Sequence, residues 1–271
     1  MANPVGKYSY YLRSIFELLS GFEDPVLVAK IFLKLSPPGA KKIRLRGKGL
    51  VFRFRSAMDV WSLKETFIDR FYERFGTPVE DGWRIVDIGG GIGEFTLFAA
   101  YKYPTNVVFA FEPYPESFDL LKANLELNGV KNVNAFEEAV WSENGRLRLD
   151  LTPGEPSQFI SGAADRSLNN TDQTIVPAIT LSEVFAELNL DHCDLLKLDC
   201  EGAEFPILFS APDELLGKID RIILEYHDDA GDYTHQDLAK YLTERGYLVQ
   251  ITPNFVHSYL GYLFAQRPSE V

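Results

Sequence analysis

Val86-Asp87-Ile88-Gly89-Gly90-Gly91-Ile92-Gly93-Glu94-Phe95 is the stretch on which the reading of this chain turns. An apolar run of strand length, Arg84–Ile88, leads into it and an amphipathic helix follows, so the glycines occupy a strand-to-helix turn. Glycine permits that sharp turn and lets a ligand approach the backbone with no Cβ in the way. In open α/β sheets such turns lie at the carboxyl ends of parallel strands, where ligands bind. The dinucleotide fingerprint G-x-G-x-x-G fails here, because its last position is Glu94 counted from Gly89 and Thr96 counted from Gly91. Asp87 and Glu94 would repel a pyrophosphate and attract a sulfonium and an amino group. Asp87, Gly89, Gly91 and Gly93 are therefore candidate cofactor residues, and the acid-rich turn points to S-adenosylmethionine rather than NAD.

The next strand, Val107–Phe111, ends in Glu112, 19 residues beyond Gly93. That is close to the ~20-residue spacing of an acid that binds ribose hydroxyls. After a third strand, Val133–Phe136, Glu138 is a candidate acceptor for an adenine amino group, with a solvated loop carboxylate as the alternative. A fourth strand, Leu195–Leu198, runs into Asp199, Glu201 and Glu204, and a fifth over 221–224 delivers Glu225, Tyr226 and His227 to the same edge. Like charges crowded at one edge are costly on a purely structural element, which marks them as site candidates.

Strands alternating with helices from residue 83 onward predict a parallel sheet of βαβ units, a Rossmann-like α/β fold. The helix over Pro115–Leu127 shows Phe118, Leu121 and Leu125 on one face, with Gly129 near its C-cap. Segments 247–251 and 258–264 read as an antiparallel pair, and Asn144-Gly145 predicts a tight hairpin between Trp141 and residues 147–151. Residues 153–177, rich in Gly, Pro, Ser, Asn and Asp, read as an irregular surface loop that could lie over a cleft. Ahead of the sheet, 8–35 predicts two short helices, 43–55 a strand pair, and 61–75 one helix stopped by Gly76. Residues 1–80 are thus expected to be an appendage of helices and a hairpin, and 81–271 the catalytic domain.

With 46% hydrophobic and 24% charged residues over 271 positions, a full core is available. The net charge of −12 disfavours nucleic acid and anionic lipid partners unless a local basic patch intervenes. One such run, Lys41-Lys42-Ile43-Arg44-Leu45-Arg46-Gly47-Lys48 with Arg53 and Arg55, reads as the solvated face of the strand pair, because the charges alternate with apolar residues, with a docking surface for an anionic substrate as the alternative. Cys193 and Cys200 are too few and too badly spaced for a disulfide framework or a zinc site, so a reducing cytoplasm is expected. There is neither a signal-peptide pattern nor a run of about 18 apolar residues, and no membrane partner is expected.

At this point the chain resembles the FkbM family of methyltransferases. The resemblance is carried by Asp59, Glu65 and Phe67, by VDIGGGIGEF at 86–95, FEPYPESFDLLKANLELNG at 111–129, DLLKLDCEGAE at 194–204 and ILEYH at 223–227, and it covers 59–227. The family's turn looks like D-I-G-A-N-x-G, so Gly90 and Gly91 depart from it in a way that keeps the turn and removes a side-chain contact. The resemblance implies O-methylation of a hydroxyl on a sugar, polyketide or other small metabolite. In-line transfer from an activated donor needs the acceptor aligned and its proton removed. His227 is the candidate base, since an imidazole titrates near neutrality, with a structurally bonded histidine as the alternative. Asp199 is a candidate for the methionine end of the cofactor or the acceptor, and Glu201 and Glu225 for sugar hydroxyls. A divalent metal on Asp199, Glu201, Glu225 and His227 lacks a spacing signature, and none is expected. Two rival readings are an NAD or nucleotide-sugar enzyme, against which the failed fingerprint and the absent Tyr-x-x-x-Lys pair count, and a non-catalytic nucleoside-binding module. Nucleic-acid methylation lacks an Asn-Pro-Pro-Tyr-type motif for a flipped base. A homo-oligomer is left open.

Overall fold

A computed structural model of the chain describes residues 4–37, 39–150, 173–254 and 256–268. The N-terminal part comprises α1 (Pro4–Gly21), α2 (Pro25–Phe32), the hairpin β1 (Lys41–Arg44) and β2 (Val51–Phe54), α3 (Ala57–Lys64), one π-helical turn (Glu65–Asp69) and α4 (Phe71–Phe75). There follow β3 (Arg84–Ile88), α5 (Glu94–Tyr101), β4 (Val107–Phe111), α6 (Pro115–Leu127), β5 (Val133–Phe136), β6 (Ala139–Trp141), β7 (Gly145–Asp150) and β8 (Gln173–Thr180). The chain continues through α7 (Leu181–Glu187), β9 (Leu195–Leu198), α8 (Glu204–Ser210), α9 (Asp213–Leu216), β10 (Arg221–His227), α10 (His235–Glu244), β11 (Leu248–Pro253) and β12 (Leu260–Gln266).

Seven strands form the central sheet in the order β11-β12-β10-β9-β3-β4-β5, with β12 alone antiparallel to its neighbours. The expected α/β architecture is thus observed, and every apolar run read as a strand of the sheet takes its place there. These runs lack a polar alternation because helices cover both faces. Val86, Ile88, Leu196, Leu198, Ile222 and Leu224 point into one core, with Val184 of α7, Ile207 of α8 and Leu238 of α10. Their neighbours Ile85, Val108, Leu195 and Ile223 point the other way, onto Phe71 and Tyr72 of α4 and Phe95 of α5.

The N-terminal elements share their core with the sheet domain. Leu18, Phe22, Phe52, Phe54 and Leu63 pack in one cluster with Ile92, Leu97, Leu120 and Leu121. Two asparagines one helical turn apart, Asn124 on α6 and Asn128 at its C-cap, extend the hairpin's ladder. Asn124 accepts from Arg53 N–H at 2.6 Å and donates to Arg53 O at 3.1 Å, and Asn128 repeats this with Val51 at 2.9 and 2.8 Å. The basic residues of the hairpin lie on its solvent side, as expected, since Lys42, Arg44 and Arg53 are exposed while Ile43 and Phe52 are buried.

Three local expectations fail. The helix expected over 61–75 is broken by the π turn and by Arg70, whose φ is 54°. The extra residue of the turn lets fully buried Lys64 reach Asp69 at 2.6 Å and Glu17 at 3.2 Å. The Asn144-Gly145 hairpin does not form. Instead β6 pairs in parallel and β7 antiparallel with β8, which runs between them. The Asn144 side chain accepts from Thr180 N–H at 2.8 Å, so the dipeptide serves a three-stranded sheet whose central strand comes from elsewhere in the chain. Residues 173–177 of the expected surface loop belong to that strand, and the rest of that loop lies outside the described residues. Among the described residues, no helix is long and apolar enough to cross a membrane.

Candidate active site

The turn after β3 is built so that only glycine fits at its first position. Gly89 has φ 77°, and a Cβ there would lie 1.8 Å from the carbonyl oxygen of Asp199. Gly91 (φ 55°) and Gly93 (φ 90°) are also left-handed, and a Cβ on either would meet the Glu94 carboxylate or Leu97 at 2.9 Å. Beneath the turn lies a fully buried ion pair. Lys197 Nζ sits 2.9 Å from Asp87 Oδ1 and donates to Gly89 O at 2.7 Å, while the Thr96 hydroxyl donates to Asp87 Oδ2 at 2.5 Å. Burial disfavours the ammonium, but the charges of Asp87, Asp199 and Glu94 outweigh it and raise the Lys197 pKa. Asp87 thus fastens the turn from beneath through Lys197 and Thr96.

Glu112 stands where the spacing put it, at the end of β4, 4% exposed. Its carboxylate accepts from Gly91 N–H and Tyr114 N–H, each at 2.8 Å. Burial pushes its pKa up to about 7 against those two bonds. Glu94 is pushed up to about 7 by burial as well and accepts from the Ser62 hydroxyl of α3 at 2.6 Å. Glu138 is half-buried in the link between β5 and β6, with burial again raising its pKa. The Phe111 and Phe136 rings stack at 4.8 Å on adjacent strand ends.

The sheet register gathers the remaining candidates. Leu198 is paired with Ile88 on one side and Leu224 on the other, so Asp199, just past β9, and Glu225, within β10, stand at the same level beside the glycine turn. The loop after β9 carries Glu201 at φ 53° and Gly202 at φ 97°. Fully buried Glu204 holds this strained loop by accepting from Cys200 N–H and Gly202 N–H, each at 2.8 Å. Across it lies His227 at the end of β10. Its Nδ1 is 3.3 Å from Glu204 Oε1, close enough for charge pairing but off the line of a hydrogen bond, and its Nε2 is 3.4 Å from the half-exposed Glu201. Burial opposes the charged imidazolium, yet Glu204, Glu201 and Glu225 together hold the His227 pKa well above its ordinary value.

The N-terminal elements and β12 complete this cluster with residues that the sequence reading did not assign to the site. Tyr72 of α4 donates its hydroxyl to Asp199 Oδ2 at 2.7 Å, and Tyr262 of β12 donates to Glu225 Oε2 at 3.5 Å. Glu65, on the π turn, accepts from Trp61 Nε1 at 2.8 Å, and burial, with Asp69 and Asp199 adding to it, pushes its pKa up to about 8. Glu225 is raised by burial and then by Asp199 and Glu65. One acidic, tyrosine-walled cluster therefore draws on β9, β10, β12, α4 and the π turn. Proximity in sequence carries no signal for it. The composition of DCEGAE was the only pointer to Glu204.

A sheet in this order, with a glycine turn after its first central strand and a buried acid closing the next, defines a Rossmann-like nucleoside-binding enzyme fold. The residues fit S-adenosylmethionine: the glycine cradle would receive its amino acid part, Glu112 its ribose, and Glu138 with Phe111 and Phe136 lie on the side expected for adenine. Residues 87–249 match the family model of the methyltransferase FkbM domain. The chain belongs to that family and is an S-adenosylmethionine-dependent methyltransferase. It is 34% identical over 205 residues to Methyltransferase 1 of Beauveria bassiana, covering 69% of this chain and 80% of that one. It is 31% identical over 194 residues to the 31-O-demethyl-FK506 methyltransferase FkbM of Streptomyces tacrolimicus, covering 62% and 74%. The crystal structure of methyltransferase FkbM from Methylobacillus flagellatus superposes with a TM-score of 0.49 at 14% identity, covering 77% of this chain and 54% of that one.

Proposed function

We propose that this methyltransferase acts on a hydroxyl oxygen of a small polyhydroxylated metabolite, of the sugar or polyketide class. The observation that carries this reading is that Asp199 and Glu225 stand at one level of the sheet edge beside the glycine turn, with His227 two residues further along β10 and 3.4 Å from Glu201 in the loop after β9. When bound, S-adenosylmethionine supplies a methyl group that needs no further activation. The protein's part is to align an oxygen and take its proton. His227 has the arrangement of an oriented base: a buried carboxylate, Glu204, faces Nδ1, and Nε2 faces the half-exposed side of the cluster. In its neutral form it accepts the acceptor's proton at Nε2. Asp199, Glu225 and Glu201 accept hydrogen bonds from hydroxyls, and Tyr72 and Tyr262 set the orientation of the first two. An acidic cluster of this kind disfavours phosphorylated or carboxylated acceptors. The name of the Streptomyces relative, which specifies an oxygen, agrees with this reading.

Incubation with S-adenosylmethionine and a panel of hydroxylated metabolites is expected to release S-adenosylhomocysteine together with a product that carries its new methyl on oxygen, located by NMR. Products methylated only on nitrogen or carbon would overturn the assignment.

A further inference from the structure

We propose that the outward face of α1 and α2, with the basic hairpin β1–β2, docks the enzyme on an anionic lipid bilayer. Helix α1 faces the protein with buried Ser14 and Leu18 and turns its opposite side to solvent. That opposite side is apolar. Leu12, Ile15, Phe16 and Leu19, at i, i+3, i+4 and i+7, are 70%, 55%, 72% and 38% exposed, the reverse of a surface helix on a globular domain. Helix α2 and the segment after it continue the surface with exposed Val26, Phe32, Leu33 and Leu35, interleaved with exposed Lys30 and Lys34. This many exposed large apolar side chains on two successive helices mark a contact surface.

Charge selects the occupant. Residues 1–55 contain eleven Lys and Arg against three Asp and Glu, whereas the rest of the chain contains sixteen against thirty-six. The N-terminal segment that carries the exposed apolar residues is thus the basic part of an otherwise acidic chain. The hairpin is tied to the end of α1, since Arg46 donates from its backbone to Gly21 O at 2.8 Å and from its guanidinium to Ser20 O and Phe22 O at 2.9 and 2.8 Å. Within the hairpin, exposed Lys42 and Arg53 stand directly opposite one another across the two strands. A like-charge cross-strand pair destabilises a hairpin unless an anion relieves it. An in-plane amphipathic helix with flanking cations is the arrangement that buries in the headgroup region of an anionic leaflet. The expectation of no membrane partner rested on net charge and the absence of a span, and surface docking by this end depends on neither.

The test is co-sedimentation of the full chain with vesicles of phosphatidylcholine alone and of phosphatidylcholine mixed with phosphatidylglycerol. Binding is expected only to the mixed vesicles and is expected to weaken as salt is raised. Leu12→Glu with Phe16→Glu should abolish it. Lys42→Ala, Lys48→Ala and Arg53→Ala together should weaken it by roughly 100-fold. All five positions are exposed, so the melting temperature and S-adenosylhomocysteine affinity of both variants should match the parent's. Three results would overturn the proposal: no binding of the parent to mixed vesicles, binding that survives both sets of substitutions, or a parent dimer in light scattering that Leu12→Glu with Phe16→Glu turns into monomer. The last would show that a second copy covers the face.

Discussion

His227→Ala is expected to bind S-adenosylhomocysteine like the parent and to lose about 10² to 10⁴ in turnover, the usual contribution of a positioned general base. The pH profile separates this role from a structural one. Only the neutral imidazole accepts a proton, and the folded-state pKa of His227 is raised by Glu204, Glu201 and Glu225. The rising limb of kcat/KM should therefore lie on the alkaline side of the ordinary histidine value of about 6.5. Replacing Glu204 with Gln removes the buried carboxylate that faces Nδ1, which should move that limb toward lower pH, while His227→Ala should remove it. A profile unchanged in both variants, or parental turnover by His227→Ala, assigns the proton to one of the carboxylates at the same edge, Asp199 or Glu225.

Lys197→Met is expected to cost about 3–5 kcal/mol of folding stability, because it leaves the carboxylate of Asp87 buried with no counter-charge. For a domain of this size that is a fall in melting temperature of roughly 6 to 20 °C. Adding Asp87→Asn should restore most of the loss, since a neutral amide can still accept from Thr96. Thermal melts of the two single variants and the double variant measure the coupling directly. Additive losses would mean that the pair is not what fastens the turn.

The parallel sheet was legible because its strands are short continuous apolar runs, a pattern imposed by helices on both faces. The acids Glu112, Asp199 and Glu225 were legible for a related reason: each is the first acid after a largely apolar run. What escaped the reading depends on contacts distant in sequence. Asn144-Gly145 has the local chemistry of a tight turn, yet β8 supplies a ladder to both flanking strands and so decides the pairing. The apolar periodicity of 61–75 is helical throughout, and nothing in it reveals the π turn that swings Glu65 to Trp61 and lets Lys64 reach Asp69. Asp87 was read for its charge alone, and nothing local reveals its ion pair with Lys197, 110 residues later. The same distance effect hid Tyr72 and Tyr262. Their sequence surroundings are those of core aromatics, and only the fold brings their hydroxyls to Asp199 and Glu225.

The central claim is that the glycine turn and the acid at the end of β4 form the S-adenosylmethionine site, and Glu112 tests it most directly. Its carboxylate is bonded to the turn's own Gly91 N–H and sits at the spacing of a ribose acceptor. Titration calorimetry of S-adenosylhomocysteine into parent and Glu112→Ala, with the melting temperature of each checked alongside, is the decisive measurement. A loss of about 1.5–3 kcal/mol in binding, roughly 10- to 150-fold, with the fold retained is the predicted result. Unchanged affinity in a folded Glu112→Ala chain would contradict the account and place the cofactor elsewhere.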